Sequence, residues 1–106
     1  NTIENGSIVI LNAHANQLEY VKRLKDRCKL VVMGSIATVY PDPNMPEYSS
    51  SKLELEEYIE TIATHSPVLY LRLTSSSYKN YQLIANSIEF WLENQEVTFI
   101  GYNVNE

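Results

Sequence analysis

The segment Leu30-Val-Val-Met-Gly-Ser35 decides the fold, because it is a short apolar run that ends abruptly in a glycine and a serine. Its apolar residues do not alternate with polar ones, which is typical of a strand covered on both faces. Working outward, comparable runs span Ser7–Leu11, Val68–Leu73 and Val97–Ile100. The sequence therefore predicts four short strands.

Helical patterns separate these runs. Apolar residues recur at helical spacing from about Asn16 to Arg27, and again from about Glu47 to Thr64. A third pattern carries Ile84, Ile88, Trp91 and Leu92. The order strand, helix, strand, helix, strand, helix, strand predicts an α/β fold with a parallel sheet and crossover helices. In the second helix we expect the acidic run Glu54, Glu56 and Glu57 to form the solvated face.

The predicted helices do not obviously suffice to bury both faces of the predicted sheet. Three right-handed crossovers that proceed in one direction would place all three helices on one face and leave the other face bare. At roughly 25 cal/mol per Å², several hundred Å² of wet apolar surface would forgo on the order of 10 kcal/mol. We expect the cover to come from further chain, from a partner subunit, or in part from a helix on the other side.

Composition excludes several function classes. The chain has 106 residues and a net charge of −5, and its longest basic cluster is Lys22-Arg23, so we expect no nucleic-acid binding. The apolar runs are too short for a membrane span. One cysteine, Cys28, allows no intrachain disulfide and fits a cytoplasmic location. His14 and His65 lack ligand spacing, so we predict no metal site.

Three residues at the predicted end of the second strand and start of the second helix form a candidate proton-transfer site. Ser35 follows the second strand, Tyr48 comes thirteen residues later, and Lys52 is one helical turn beyond Tyr48. A free phenol has a pKa of about 10, and a nearby cation favours the phenolate form. A serine hydroxyl can donate to a substrate oxygen where negative charge develops. Only about 0.04 such sets are expected by chance in this chain.

These residues resemble the motifs of the short-chain dehydrogenase/reductase family. The likeness rests on Gly34-Ser-Ile-Ala-Thr-Val-Tyr40 and on Pro46-Glu-Tyr-Ser-Ser-Ser-Lys-Leu-Glu-Leu-Glu56. Asn12-Ala-His14 is similar to the family's Asn-Ala-Gly motif. Lys52-Leu-x-x-Glu56 and Leu71-Arg-Leu-Thr74 also resemble the family's extended branch, whose members modify nucleotide sugars, whereas the short interval from Ser35 to Tyr48 resembles the other branch.

The resemblance implies a role for each site residue. Ser35 would orient and polarise the substrate carbonyl, and Tyr48 would be the general acid/base. Lys52 would favour the phenolate and hold the nicotinamide ribose. Asn12 would steady the sheet beside the cofactor, and Thr74 would also lie beside the nicotinamide. The implied activity is that of an oxidoreductase using NAD or NADP, in which proton transfer by Tyr48 is coupled to hydride transfer with the nicotinamide.

The likeness covers only the second half of the family's fold. It implies that residues 1–106 form a single, partial Rossmann-like domain of about four strands and three helices, without the N-terminal cofactor-binding half. Gly6, Gly34 and Gly101 are the only glycines, and no two are close enough to form a pyrophosphate-binding turn. Two alternatives stay open, a non-enzymatic interaction or structural module and an extended-branch epimerase or dehydratase. Expected partners are a small-molecule substrate, the missing half or a partner subunit, and further copies of the chain in a homo-oligomer.

Overall fold

A computed structural model describes residues 3–12, 16–73, 80–94 and 102–104. The strands are β1 (Ile8–Leu11), β2 (Lys29–Ser35), β3 (Val68–Leu73) and β4 (Tyr102–Val104). The helices are α1 (Gln17–Leu24), α2 (Pro46–Ile62) and α3 (Tyr81–Glu93), and a single 3₁₀ turn, Ile36–Thr38, follows β2. The predicted alternation of strands and helices is therefore confirmed for the first three strands and the three helices.

The strands form one parallel sheet in the order β1-β2-β3-β4. Strands of four to seven residues make up most of it, and the three-residue β4 pairs with the end of β3. Val97–Ile100, where we predicted the fourth strand, lies outside the described residues. The mixed α/β class with a parallel sheet is confirmed.

The core lies on both faces of this sheet. On one face, Leu30, Val32 and Val68 pack with buried residues of α1 and α2. On the other, Val31, Leu69 and Leu71 pack against Trp91 of α3. The expectation that all three helices share one face is therefore wrong, because α3 covers the opposite face. This is the alternative in which a helix on the other side supplies part of the cover. Alternate strand residues point to opposite faces, which is why uninterrupted apolar runs suit β2 and β3.

Strand β1 is covered less completely. Val9 and Leu11 pack toward the face that carries α1 and α2. Ile8 and Ile10, which point the other way, remain 47% and 50% exposed. The predicted cover on both faces is thus found for β2 and β3, but the described part of the chain does not provide it at β1.

No helix within the described residues has the length and apolar character needed to cross a membrane.

Candidate functional site

A cavity of about 970 Å³ opens at the carboxyl ends of β1, β2 and β3. This is the edge at which open parallel sheets bind ligands. Asn12, Ser35, Tyr48 and Lys52 all line it, so the structure brings together four of the five predicted site residues. Thr74, the fifth, lies outside the described residues. Further lining comes from Met33, Gly34, Ile36, Ala37, Tyr40, Asp42, Pro43, Met45, Leu73, Tyr81 and Ile84.

Ser35 is the last residue of β2 and begins the 3₁₀ turn. Its Oγ accepts a hydrogen bond from the Ala37 amide at 3.1 Å, which caps that turn. This bond fixes the serine side chain at the cavity wall and occupies a lone pair of the oxygen. The hydroxyl hydrogen can still be donated to a ligand, which is the role expected of Ser35.

A loop with two prolines, Pro41 and Pro43, leads into α2. Pro46 occupies the first helical turn, where its missing amide hydrogen costs nothing. The Asp42 amide donates to Ser49 Oγ at 3.1 Å, which ties the loop to the helix. Tyr48 and Lys52 therefore lie one turn apart at the start of α2, and Lys52 Nζ is 5.8 Å from the centroid of the Tyr48 ring. Lys52 and Tyr48 therefore lie on the same side of α2, as their spacing predicted.

Lys52 is an unusual lysine because its side chain is almost entirely buried, with 4% of its surface exposed. Its Nζ donates to Gln17 Oε1 and to the Met33 carbonyl, the latter at 3.4 Å. Burial lowers the pKa of Lys52 below the ordinary lysine value. Burial thus disfavours the charged form of Lys52, while the Gln17 and Met33 oxygens provide acceptors for it.

Gln17 is the site residue that sequence reasoning missed. It is buried at the start of α1, and its Nε2 donates to the Leu11 carbonyl at 2.9 Å and the Met33 carbonyl at 3.1 Å. Its Oε1 accepts from Lys52, so one amide joins the ends of β1 and β2 to the buried ammonium. The sequence carries a signal, since Gln17 shares helical spacing with Val21 and Leu24 on the buried stripe of α1.

We expect Gln17→Leu to destabilise the fold by about 1–3 kcal/mol, because it leaves buried polar groups without partners. It should also lower the pKa of Lys52 further, since the ammonium loses an acceptor. Urea unfolding and a ¹³C NMR titration of the lysine side chains measure the two effects. The exposed Gln82→Leu is the matched control, with a change within about 0.5 kcal/mol. Equal unfolding midpoints for the two variants would contradict this role.

A second polar cluster connects α2, β3 and the 3₁₀ turn next to the cavity. Arg72 of β3 donates from Nε to Glu56 Oε1 at 2.9 Å and from Nη2 to Glu56 Oε2 at 2.5 Å. Thr38 Oγ1 lies 2.9 Å from Glu56 Oε1 and 3.1 Å from the Ser35 carbonyl oxygen. The cluster thus ties α2 and β3 to the turn that carries Ser35. Our prediction that Glu56 belongs to the solvated face is wrong, because its carboxylate is buried and paired with Arg72.

The protonation of Glu56 makes stability depend on pH. Burial by itself would raise the pKa of Glu56, but the hydrogen bonds from Arg72 and Thr38 outweigh it and lower the pKa below the usual carboxyl value. The stabilisation is therefore complete above the unfolded pKa of about 4.3 and is lost as the pH falls through the lower folded value. Urea unfolding between neutral pH and pH 3 should show this loss. We expect Glu56→Gln to flatten that dependence and the exposed Glu54→Gln to leave it intact; identical pH profiles for the two variants would refute the assignment.

Tyr70 of β3 differs from Tyr48 in its surroundings. Its side chain is wholly buried, and an added Cβ on Gly34 would lie 2.1 Å from both Cζ and Oη of Tyr70. Burial, and then the charge of Glu56, raises the pKa of Tyr70 far above the ordinary phenol value. Tyr70 therefore stays neutral and acts as a packing residue, whereas Tyr48 reaches the cavity.

Comparisons with protein-family models, with curated proteins and with solved structures find no match for this chain. The functional assignment therefore rests on the chemistry of the cavity.

Proposed function

We propose that this protein is the C-terminal portion of an NAD(P)-dependent oxidoreductase of the short-chain dehydrogenase/reductase type, built on a Rossmann-like sheet. One observation carries the proposal: Ser35, Tyr48 and Lys52 line a single cavity at the carboxyl ends of parallel strands. Each residue taken separately has an ordinary structural explanation. Their meeting around a ligand-sized space is what a proton-transfer site requires.

The proposed chemistry is the interconversion of a carbonyl compound and an alcohol. A bound nicotinamide dinucleotide supplies or accepts the hydride. Ser35 donates a hydrogen bond to the substrate oxygen, and Tyr48 gives that oxygen a proton in reduction or removes one in oxidation. The buried Lys52 ammonium favours the phenolate that forms when Tyr48 gives up its proton.

The described residues fit one part of such a cofactor. The cavity volume lies within the range of small-molecule sites, and Asn12 provides a polar group for a nicotinamide. Lys52 would hold the ribose by exchanging a bond to Gln17 or to the Met33 carbonyl for one to the ligand. Among the described residues that line the cavity, none provides a comparable group for the phosphates, because Gly34, the one glycine there, lies against the Tyr70 ring. We propose that the pyrophosphate is held outside this cavity, by the cofactor-binding half that the family resemblance implies. Thr74 is a further candidate beside the nicotinamide, and the proposed cofactor is NAD or NADP.

Turnover tests this function. The full-length protein that contains these residues is incubated with NADH or NADPH and a panel of aldehydes and ketones, and loss of the reduced-nicotinamide absorbance is followed. We expect consumption of one cofactor, sharply reduced in Lys52→Met, while the exposed Lys22→Met retains wild-type activity. Consumption of neither cofactor with any carbonyl compound, or equal rates in the two lysine variants, would overturn the proposal.

A second candidate function is favoured by the half-exposed isoleucines of β1. Ile8 and Ile10 lie on an edge strand, where another chain could extend the sheet and cover its face. In this alternative the protein is a non-enzymatic interaction or structural module. Sedimentation of wild type and Ile10→Lys discriminates: an assembly that Ile10→Lys dissociates, in a protein that consumes neither cofactor, would favour the module.

A further inference from the structure

The mouth of the cavity exposes aromatic side chains from two different elements. Tyr40 follows the 3₁₀ turn and Tyr81 begins α3, on the opposite face of the sheet from α2. Their side chains are 73% and 76% exposed, yet both line the cavity. Met45, which is about half exposed, adds a flexible apolar surface. A ligand that removes these side chains from water gains from apolar burial and from aromatic contact.

The charges of the cavity disfavour anionic ligands. Among the described residues that line the cavity, Lys52 is the one basic residue and Asp42 is the one acidic residue. Lys52 is directed inward to Gln17 and the Met33 carbonyl, and almost none of its surface is exposed. Asp42 lies in the loop at the mouth, where its Oδ1 accepts from the Asn44 amide at 2.9 Å. A diphosphate would meet a carboxylate there, and no arginine fork lines the described wall to hold it.

We infer that the substrate is a neutral ketone, aldehyde or alcohol with an aromatic group, which contacts Tyr40 and Tyr81 while its oxygen reaches Ser35 and Tyr48. This inference rests on the proposed function and decides between its two open branches. A nucleotide sugar would bring two phosphate charges to the Asp42 carboxylate at the mouth, whereas the phosphates of the cofactor are proposed to be held outside this cavity. In reduction the carbonyl carbon gains the hydride and the oxygen gains the Tyr48 proton. The product is the corresponding neutral alcohol.

Ligand titrations followed by ¹H–¹⁵N NMR test the inference without cofactor or turnover. The probes are 4-phenylbutan-2-one, a neutral aromatic ketone, and UDP-glucose, a charged nucleotide sugar. We expect the ketone to shift the amides of Ser35 and Tyr48 in wild type. The double variant Tyr40→Ala/Tyr81→Ala should weaken this binding about tenfold or more, because each aromatic contact contributes about 1 kcal/mol. The control, Tyr20→Ala, replaces an exposed tyrosine outside the cavity lining and should bind like wild type.

The outcomes separate this inference from the proposed function. Tighter binding of UDP-glucose than of the ketone, absence of ketone binding, or unchanged binding in the double variant would each overturn the substrate class. Turnover of a nucleotide sugar would uphold the oxidoreductase and refute the inference. Ketone binding that depends on Tyr40 and Tyr81, in a protein that consumes neither cofactor, would uphold the inference about the ligand and refute the proposed reaction.

Discussion

Tyr48→Phe is expected to reduce kcat by about 10²–10⁴-fold, because it removes the hydroxyl that exchanges a proton with the substrate. The ring is retained, so the packing of the first turn of α2 and the contact between the ring and Lys52 should persist. Substrate and cofactor binding should therefore change little. Steady-state kinetics, together with a binding titration of each ligand, measure the two quantities separately.

The control for this experiment is Tyr20→Phe, which removes a phenol hydroxyl from the exposed face of α1, outside the cavity lining. It should leave kcat and binding unchanged. If Tyr48→Phe retains wild-type turnover, Tyr48 is not the general acid/base. A fall in binding as large as the fall in kcat would also contradict the assignment, since it would give the hydroxyl a role in holding ligands.

Gly34→Ala is expected to produce the largest loss of stability, about 3 kcal/mol or more. The added methyl group would lie 2.1 Å from Cζ and Oη of Tyr70, far inside van der Waals contact. The ring cannot move aside easily, because Tyr70 is wholly buried in the core between β2 and α2. Urea unfolding of the variant measures the loss.

A double-mutant cycle with Tyr70→Leu isolates the cause. Tyr70→Leu is itself destabilising because the smaller side chain packs less well, but it removes the ring atoms that the new methyl group would meet. Gly34→Ala should therefore cost much less in the Tyr70→Leu background than in wild type. Equal costs in both backgrounds would show that the glycine is needed for another reason.

Much of this architecture could be predicted from the order of apolar runs. Short uninterrupted runs predicted β2 and β3, because strands covered on both faces need apolar residues at every position. The helical spacing predicted α2 to within two residues at each end. Ser35, Tyr48 and Lys52 could be expected to meet, since one ends a strand and the others begin the next helix at the same edge of the sheet.

Other features depend on contacts that a local pattern does not encode. An apolar stripe shows that one face of α3 is buried, but not which side of the sheet it covers. Glu56 lies in a run of acidic residues and would be solvated if Arg72, sixteen positions away, did not pair with it. Gln17 is polar and buried for a similar reason, because strand carbonyls and a distant lysine satisfy its amide. Glu56 and Gln17 are therefore buried because of partners that lie far from them in the sequence.

The most direct test of the central claim is a titration of the ¹⁵N-labelled full-length protein that contains these residues with NADH and NADPH, followed by NMR. If Tyr48 and Lys52 form an oxidoreductase site, one of the two cofactors should shift the amides of Asn12, Ser35 and Tyr48, and Lys52→Met should weaken that binding by about tenfold. The amide of Ile8, at the other end of β1, should not shift. Failure of both cofactors to shift these amides, or shifts that persist unchanged in Lys52→Met, would contradict the account.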